Sequence, residues 1–234
     1  EMLEDKDIDA VCISSCNHWH ALSAIWACQA GTDVYVEKTV SWNVWEGRKI
    51  VESARKYDSV VQAGTQQRSD PLQSKVKTYL DEGHLGLIKY VRMNRYGMRG
   101  SIGKRDTPLE IPEEVDYNLW LGPAKERPYH PAYAPLLFHY WWDFGSGMMG
   151  DRGAHTLDPV FWALKLTPPT SVDATSCGNT AEVHPLSAIV TYQFPARENM
   201  PPLKLTWYEG TRPPWPDDLE DGRRMPSEGG ALFK

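Results

Sequence analysis

Three short apolar runs, separated by stretches of helical periodicity, constrain this chain more than any other feature. They are IDAVCISSC (8–16), DVYVE (33–37) and VVQA (60–63). Each is too short for a buried helix, and the first ends in small polar residues, as buried parallel strands do. Between the first two, Ala21, Leu22, Ile25, Trp26 and Cys28 recur at helical spacing over His20–Ala30, and Gly31 stands where a left-handed cap belongs. Ser41 or Asn43 can cap a second helix that runs to about Tyr57. Parallel neighbours need a helical crossover, so strand–helix–strand–helix–strand predicts a doubly wound, Rossmann-type sheet.

The pattern changes after Gln66-Gln67-Arg68. A helix is expected from about Pro71 to Glu82, ending at Gly83, and a strand near Leu87–Tyr96. Residues 100–135 are rich in Pro, Gly and charge and read as a long ordered loop, which in a compact chain is functional or wraps a neighbour. A further helix opens after Gly150 and runs to about Leu166. Strands follow at Ser171–Cys177, Ala188–Phe194 and Leu203–Tyr208. In the last, Leu203, Leu205 and Trp207 alternate with Lys204, Thr206 and Tyr208, which predicts one buried and one wet face. The expected fold class is α/β: a partial Rossmann-type parallel sheet over residues 1–68, then an α+β domain over 69–234 with a largely antiparallel open sheet. The 234 residues are enough for one large domain or two modest ones, each with a core.

Charge and cysteine usage narrow the partners. Lys and Arg number 25 against 31 Asp and Glu, so the net charge is −6 and the pI near 5.7. That balance argues against nucleic acid or an anionic membrane as partner, since both reward a basic face. No run approaches the roughly 18 apolar residues of a membrane span. The four cysteines lack a C-x-x-C pair and read as small buried thiols, with no metal site expected. Ten tryptophans, grouped around 19–26, 42–45, 120 and 141–142, suit flat or sugar-like ligands as well as a core.

Residues 145–150, GSGMMG, match the dinucleotide fingerprint G-x-G-x-x-G letter for letter and stand before a helix. Their surroundings argue against it. WWDF, in the possible strand His139–Phe144, is too bulky for a strand between packed helices, and no strand–helix–strand unit follows. The glycines instead predict a tight turn where another segment approaches closely. Two segments carry chemistry. Glu37-Lys38 stands at the carboxyl edge of a parallel strand, where ligands of open α/β sheets bind. In GDRGAHTLD (150–158), Asp151 and His155 are four apart on one helix face, and a histidine beside a carboxylate is a tunable proton shuttle. Asp158 shares that stripe, so a metal-binding or core role for His155 stays open on spacing alone.

The stretch from Asp9 to Tyr57 closely resembles the Gfo/Idh/MocA oxidoreductases. That pattern is an aspartate, an apolar strand, T-P-N-x-x-H, a helix ending A-G-x-x-V, then E-K-P. This chain supplies Ser15-Cys16-Asn17, His20, Ala30-Gly31 and Glu37-Lys38-Thr39. The resemblance continues through VQAGTQQR (61–68), LGLIKYVRM (85–93), LWLGPAKERPYHP (119–131) and WWDFGSGMMGDRGAHTLDPVFWALKL (141–166). Two family prolines are replaced, by Cys16 and Thr39, which loosens loops the family keeps stiff. The family's first strand and G-x-G-x-x-G loop have no counterpart before Glu1, and GGALFK looks cut within the second domain, so the chain resembles an internal fragment.

The resemblance implies an NAD- or NADP-dependent oxidoreductase acting on a secondary alcohol of a sugar, polyol or glycoside. It implies His155 as general acid/base, Asp151 as the carboxylate that orients it, and Lys38 beside the reacting hydroxyl. Ser14, Ser15, Asn17, His20, Glu37 and Lys38 match the loops around the nicotinamide and its ribose. Tyr96, Trp142 and Arg152 are the expected sugar-side residues, and the second sheet is the expected homo-oligomer surface. Two alternatives share these residues: an NAD-dependent glycosidase that oxidises transiently and eliminates, and a catalytically inactive fragment or scaffold. Localisation stays open, since some relatives of this branch carry a twin-arginine signal.

Overall fold

The computed structural model describes residues 2–95, 97, 100, 102, 109–133, 137–217, 222–223 and 229–234. It divides into two compact units, each assembled from separate stretches of chain. The first comprises Glu1–Thr65, Ile102–Ala154 and Ala181–His184, and the second comprises Gln66–Ser101, His155–Thr180 and Pro185–Lys234.

In the first unit, β1 (Ala10–Ile13), β2 (Asp33–Glu37) and β3 (Val61–Gly64) form a parallel sheet in the order β1-β2-β3. The crossovers are α1 (Asn17–Ala30) and α2 (Val44–Tyr57). Gly31 closes α1 at φ 80°, with its N–H turned back to the last-turn carbonyls. Asn43 caps α2 by accepting from the Glu46 N–H at 2.9 Å. Ala21, Ala24, Ala27 and Cys28 are small enough to bring α1 close to the sheet, where Val11, Ile13, Val34 and Val36 meet them. Burial pushes the Cys28 thiol up. Cys12 and Cys177 are exposed instead, contrary to the expectation of buried thiols, and all four are unbridged.

The Pro- and Gly-rich stretch is where sequence and structure part most. It belongs to the first unit and builds a second, aromatic core. The short helix α4 (Tyr117–Leu121) packs with Tyr133, Phe138, Trp141, Phe144 and Val183. The α1 side chains reach into it: Trp19 Nε1 donates to the Leu119 carbonyl at 3.0 Å, and His18 Nε2 donates to that of Trp120 at 2.8 Å. Burial lowers the His18 pKa, which keeps that ring neutral. Arg127 lies over the Tyr133 and Trp141 rings and bonds Asp143 and Glu182, both at 2.8 Å. The expected strand at His139–Phe144 is a 3₁₀ turn over Leu137–Tyr140 followed by a single antiparallel bridge, Trp141 to Val183.

The second unit holds α3 (Pro71–Asp81), capped by Asp70, and five strands. These are β4 (Tyr90–Arg95), β5 (Ser171–Cys177), β6 (Ser187–Phe194), β7 (Leu203–Glu209) and β8 (Gly230–Phe233). The order is β5-β6-β7-β4-β8, antiparallel except for β4 on β7. In β7, Leu203, Leu205 and Trp207 are buried and Lys204 is exposed, but Thr206 is buried as well. Its neighbours Arg92 and Asn94 on β4 are buried too, so the centre of the expected wet face is covered. The helix α5 (Gly147–Ala163) begins in the first unit and ends in the second. No described helix is long and apolar enough to cross a membrane.

Candidate active site

Carboxyl ends of neighbouring parallel strands point one way, so the turns after β1, β2 and β3 gather at one sheet edge. His20, 1% exposed, ties two of them together: Nδ1 lies 2.7 Å from the Thr39 carbonyl and Nε2 lies 2.8 Å from that of Ser15. Both partners are acceptors, so a neutral ring donates to one at a time. His20 therefore holds the loops from within. Ser14 and Ser15 are exposed on the first loop, and Asn17 is buried at the start of α1. Glu37 closes β2 so near Gly64 that a Cβ there would lie 2.9 Å from the Glu37 backbone.

The decisive contact joins distant parts of the chain. The Lys38 ammonium donates to Oδ1 of Asp151, a residue 113 positions further along the chain. Burial works against the Asp151 charge, but the Lys38 hydrogen bond and charge, with smaller help from His139 and Arg152, bring its pKa down. The sequence reading gave these two residues separate tasks; the fold pairs them. Next to Lys38, through a cis peptide, Thr39 Oγ1 donates to the Gly150 carbonyl at 2.8 Å and lies 3.2 Å from Ser146 Oγ. The threonine that replaces the family's proline thus fastens the β2 loop to the first turn of α5.

This packing explains GSGMMG. A Cβ on Gly145 would fall 2.5 Å from the His139 backbone, and one on Gly147, at φ +67°, would fall 2.8 Å from the His184 ring. The glycines serve close approach. They also leave His139, which sequence reasoning did not select, beside the ion pair. Burial lowers its pKa, opposed by Asp151 and reinforced by Lys38, Arg152 and His20, while its buried Nδ1 has no hydrogen-bond partner among the described residues. No local motif marks it; only the turn at 137–140 aims it inward.

Of the expected sugar-side residues, Arg152 is exposed, with Nε 3.8 Å from Asp151 Oδ2. Trp142 is partly exposed and its ring centroid lies 3.5 Å from that of His184. Tyr96 lies outside the described residues. His155 follows Asp151 by one turn of α5 and, within the second unit, lines a cavity of about 350 Å³ with Gln67, Gln73, Met93, Thr156 and Phe233. Pro159, inside the helix, cannot donate to the His155 carbonyl. Asp158 is held by Arg68, Nε and Nη2 each 2.8 Å from a carboxylate oxygen, so it is committed to an ion pair.

Residues 1–65 match the family profile described as "Oxidoreductase family, NAD-binding Rossmann fold", and residues 76–193 match "Oxidoreductase family, C-terminal alpha/beta domain". The chain belongs to the Gfo/Idh/MocA oxidoreductase family. Inositol 2-dehydrogenase of Salmonella typhimurium is 28% identical over 126 residues, covering 52% of this chain and 37% of that protein. The WlbA dehydrogenase from Bordetella pertussis, solved with NADH and UDP-GlcNAcA, superposes with a TM-score of 0.63 at 17% identity, over 91% of this chain and 52% of that one. An inositol dehydrogenase homolog from Azotobacter vinelandii, solved with NADH and myo-inositol, gives 0.60 at 18% identity, over 89% and 46%. The chain thus spans about half the length of those structures, and 37% of the Salmonella enzyme.

Within this Gfo/Idh/MocA chain, the same sheet edge has a polar border. Asn17 Nδ2 is a buried donor with no acceptor among the described residues, on an edge otherwise bordered by Ser14, Ser15, Glu37 and Lys38. The turn from β1 to α1 is Ser14-Ser15-Cys16 and holds no glycine, so it lacks the backbone cradle that takes a pyrophosphate.

Proposed function

We propose that this chain carries the hydride-transfer site of an NAD-dependent dehydrogenase that oxidises a secondary alcohol of a sugar, polyol or glycoside. The Lys38–Asp151 pair at the carboxyl edge of the parallel sheet carries this reading. Bound NAD supplies the two-electron acceptor; Ser14, Ser15, Asn17 and Glu37 border its nicotinamide end, and His20 shapes the loops that do so. The alcohol carbon loses a hydride and its hydroxyl loses a proton, leaving a ketone. His155 takes that proton at a ring nitrogen. Lys38 stabilises the developing alkoxide, and Asp151 holds the ammonium in place. Trp142 and Arg152 face the sugar side, and the second sheet joins copies of the protein.

The test is NAD-linked oxidation of a panel of cyclic polyols and pyranosides by the whole protein, with its His155→Ala variant. The variant should lose about 10²–10⁴ in kcat while the Kd for NADH stays within about twofold. Wild-type turnover in that variant overturns the assignment of His155. Aglycone release without net NADH would redirect the reading to an oxidative glycosidase.

A further inference from the structure

We propose, building on the dehydrogenase reading above, that His139 is a substrate-binding residue of the Lys38–Asp151 site. It receives the hydroxyl next to the one oxidised, so that the substrate is a vicinal diol. His139, Lys38, Asp151 and His20 all belong to the first unit. Of the charges around the His139 ring, Asp151 acts on it most strongly, ahead of Lys38, Arg152 and His20. The hydride-transfer chemistry gives tasks to the ion pair and to the loops that His20 holds, and leaves His139 without one.

The contrast with the neighbouring histidines carries this assignment. Three others in the unit are buried, and each sets its ring against backbone carbonyls: His18 against Phe144 and Trp120, His20 against Thr39 and Ser15, and His184 against Gly145. Those rings hold the fold together. The Nδ1 of His139 is covered as well, yet bonds to no described residue. A buried ring nitrogen without a partner is a cost that a ligand group can remove. The backbone that carries it is fixed nonetheless. The Trp141 N–H donates to the Phe138 carbonyl at 3.1 Å, the His184 N–H donates to that of Tyr140 at 2.8 Å, and a Cβ on Gly145 would fall 2.6 Å from the His139 carbonyl oxygen. The residue as a whole is partly exposed and the χ2 torsion of histidine is broad, so a turn of the ring presents Nδ1 to a bound molecule.

The charges decide which group meets it. The Lys38 ammonium and the Asp151 carboxylate offset each other, and burial favours the neutral form of His139. Arg152, the other cation acting on the ring, is more than half in solvent. An anion therefore gains little here. A neutral imidazole has one donor and one acceptor, and a hydroxyl matches either. Lys38 takes the hydroxyl that loses its proton, and the hydroxyl on the neighbouring carbon falls to the group beside the same carboxylate.

NAD-linked oxidation by the whole protein and two His139 variants tests the proposal. Myo-inositol and methyl β-D-glucopyranoside carry a neighbouring hydroxyl at every secondary alcohol, whereas cyclohexane-1,3,5-triol has three secondary alcohols and none adjacent. The wild type should oxidise the better of the first two with a kcat/KM about tenfold or more above that of the triol. His139→Leu should cost about tenfold or more on that substrate and leave the triol within about twofold. His139→Asn, whose amide sets a hydrogen-bonding atom near the Nδ1 position, should recover most of the loss. Thermal melting and the Kd for NADH should change little in either variant. Equal losses on both kinds of substrate, or an asparagine variant no better than leucine, would mean a packing role and overturn the assignment of His139. A wild type indifferent to the neighbouring hydroxyl would overturn the diol class. Oxidation of no member of the polyol and pyranoside panel would overturn the dehydrogenase reading itself, whereas full activity in His139→Leu would overturn only the role of His139.

Discussion

Replacing Lys38 by methionine isolates the ion pair on which the proposed chemistry rests. The side chains of Lys38 and Asp151 are 20% and 12% exposed, and Arg152, with Nε 3.8 Å from Asp151 Oδ2, is more than half in solvent. Removing one partner of a fully buried pair costs about 3–5 kcal/mol, because a desolvated charge is left behind. Partial exposure lowers that figure, and about 2–3 kcal/mol is expected at pH 7.5. For a chain of this size the midpoint of thermal unfolding should fall by about 4–12 °C.

The pH dependence carries the sign. In the wild type the folded Asp151 carboxyl titrates below its unfolded value, so its contribution is present above about pH 4 and is lost as pH falls through the folded pKa. In Lys38→Met, burial is the dominant influence on Asp151 and lifts the folded pKa above the unfolded one. The variant's deficit is then full at neutral pH and shrinks as the carboxyl protonates. Burial lowers the His139 pKa, so this ring gives little counter-charge at neutral pH. Urea unfolding at pH 7.5 and 5 would show the gap closing. Adding Asp151→Asn to Lys38→Met should return stability to within about 1 kcal/mol of wild type. An equally unstable double variant, or a gap that widens in acid, would refute the buried-charge argument.

Arg127→Met, which keeps the stacking volume but leaves Asp143 and Glu182 without their cation, should cost about 1–3 kcal/mol, read as a lower urea midpoint at unchanged slope. Gly147→Ala forces a left-handed residue against His184 and should cost about 2–4 kcal/mol. Its NADH affinity should stay unchanged in the folded protein, and a large loss would restore the phosphate-loop reading of GSGMMG.

Local signals were enough wherever one element satisfies its own requirements. The apolar run DVYVE, the Asn43 cap and the left-handed Gly31 announce β2, α2 and the end of α1, because period and capping act over a few residues. Lys38, Asp151 and His155 could be singled out as candidates for the same reason: strand edge and helix face are local properties. β8 was not legible, since four residues on a sheet edge carry little pattern. Nor did the stretch 109–133 reveal that it builds an aromatic core in the first unit, because that depends on Trp19 and His18 reaching it from about 100 residues away. The sequence by itself determined the alternation of strands and helices, their caps and the family. Only the tertiary structure decided that Lys38 pairs with Asp151, that His20 sets its ring nitrogens against two loops, and that Arg92 is buried with no carboxylate partner among the described residues. Each of these depends on desolvation and long-range contact, which no window of neighbouring residues encodes.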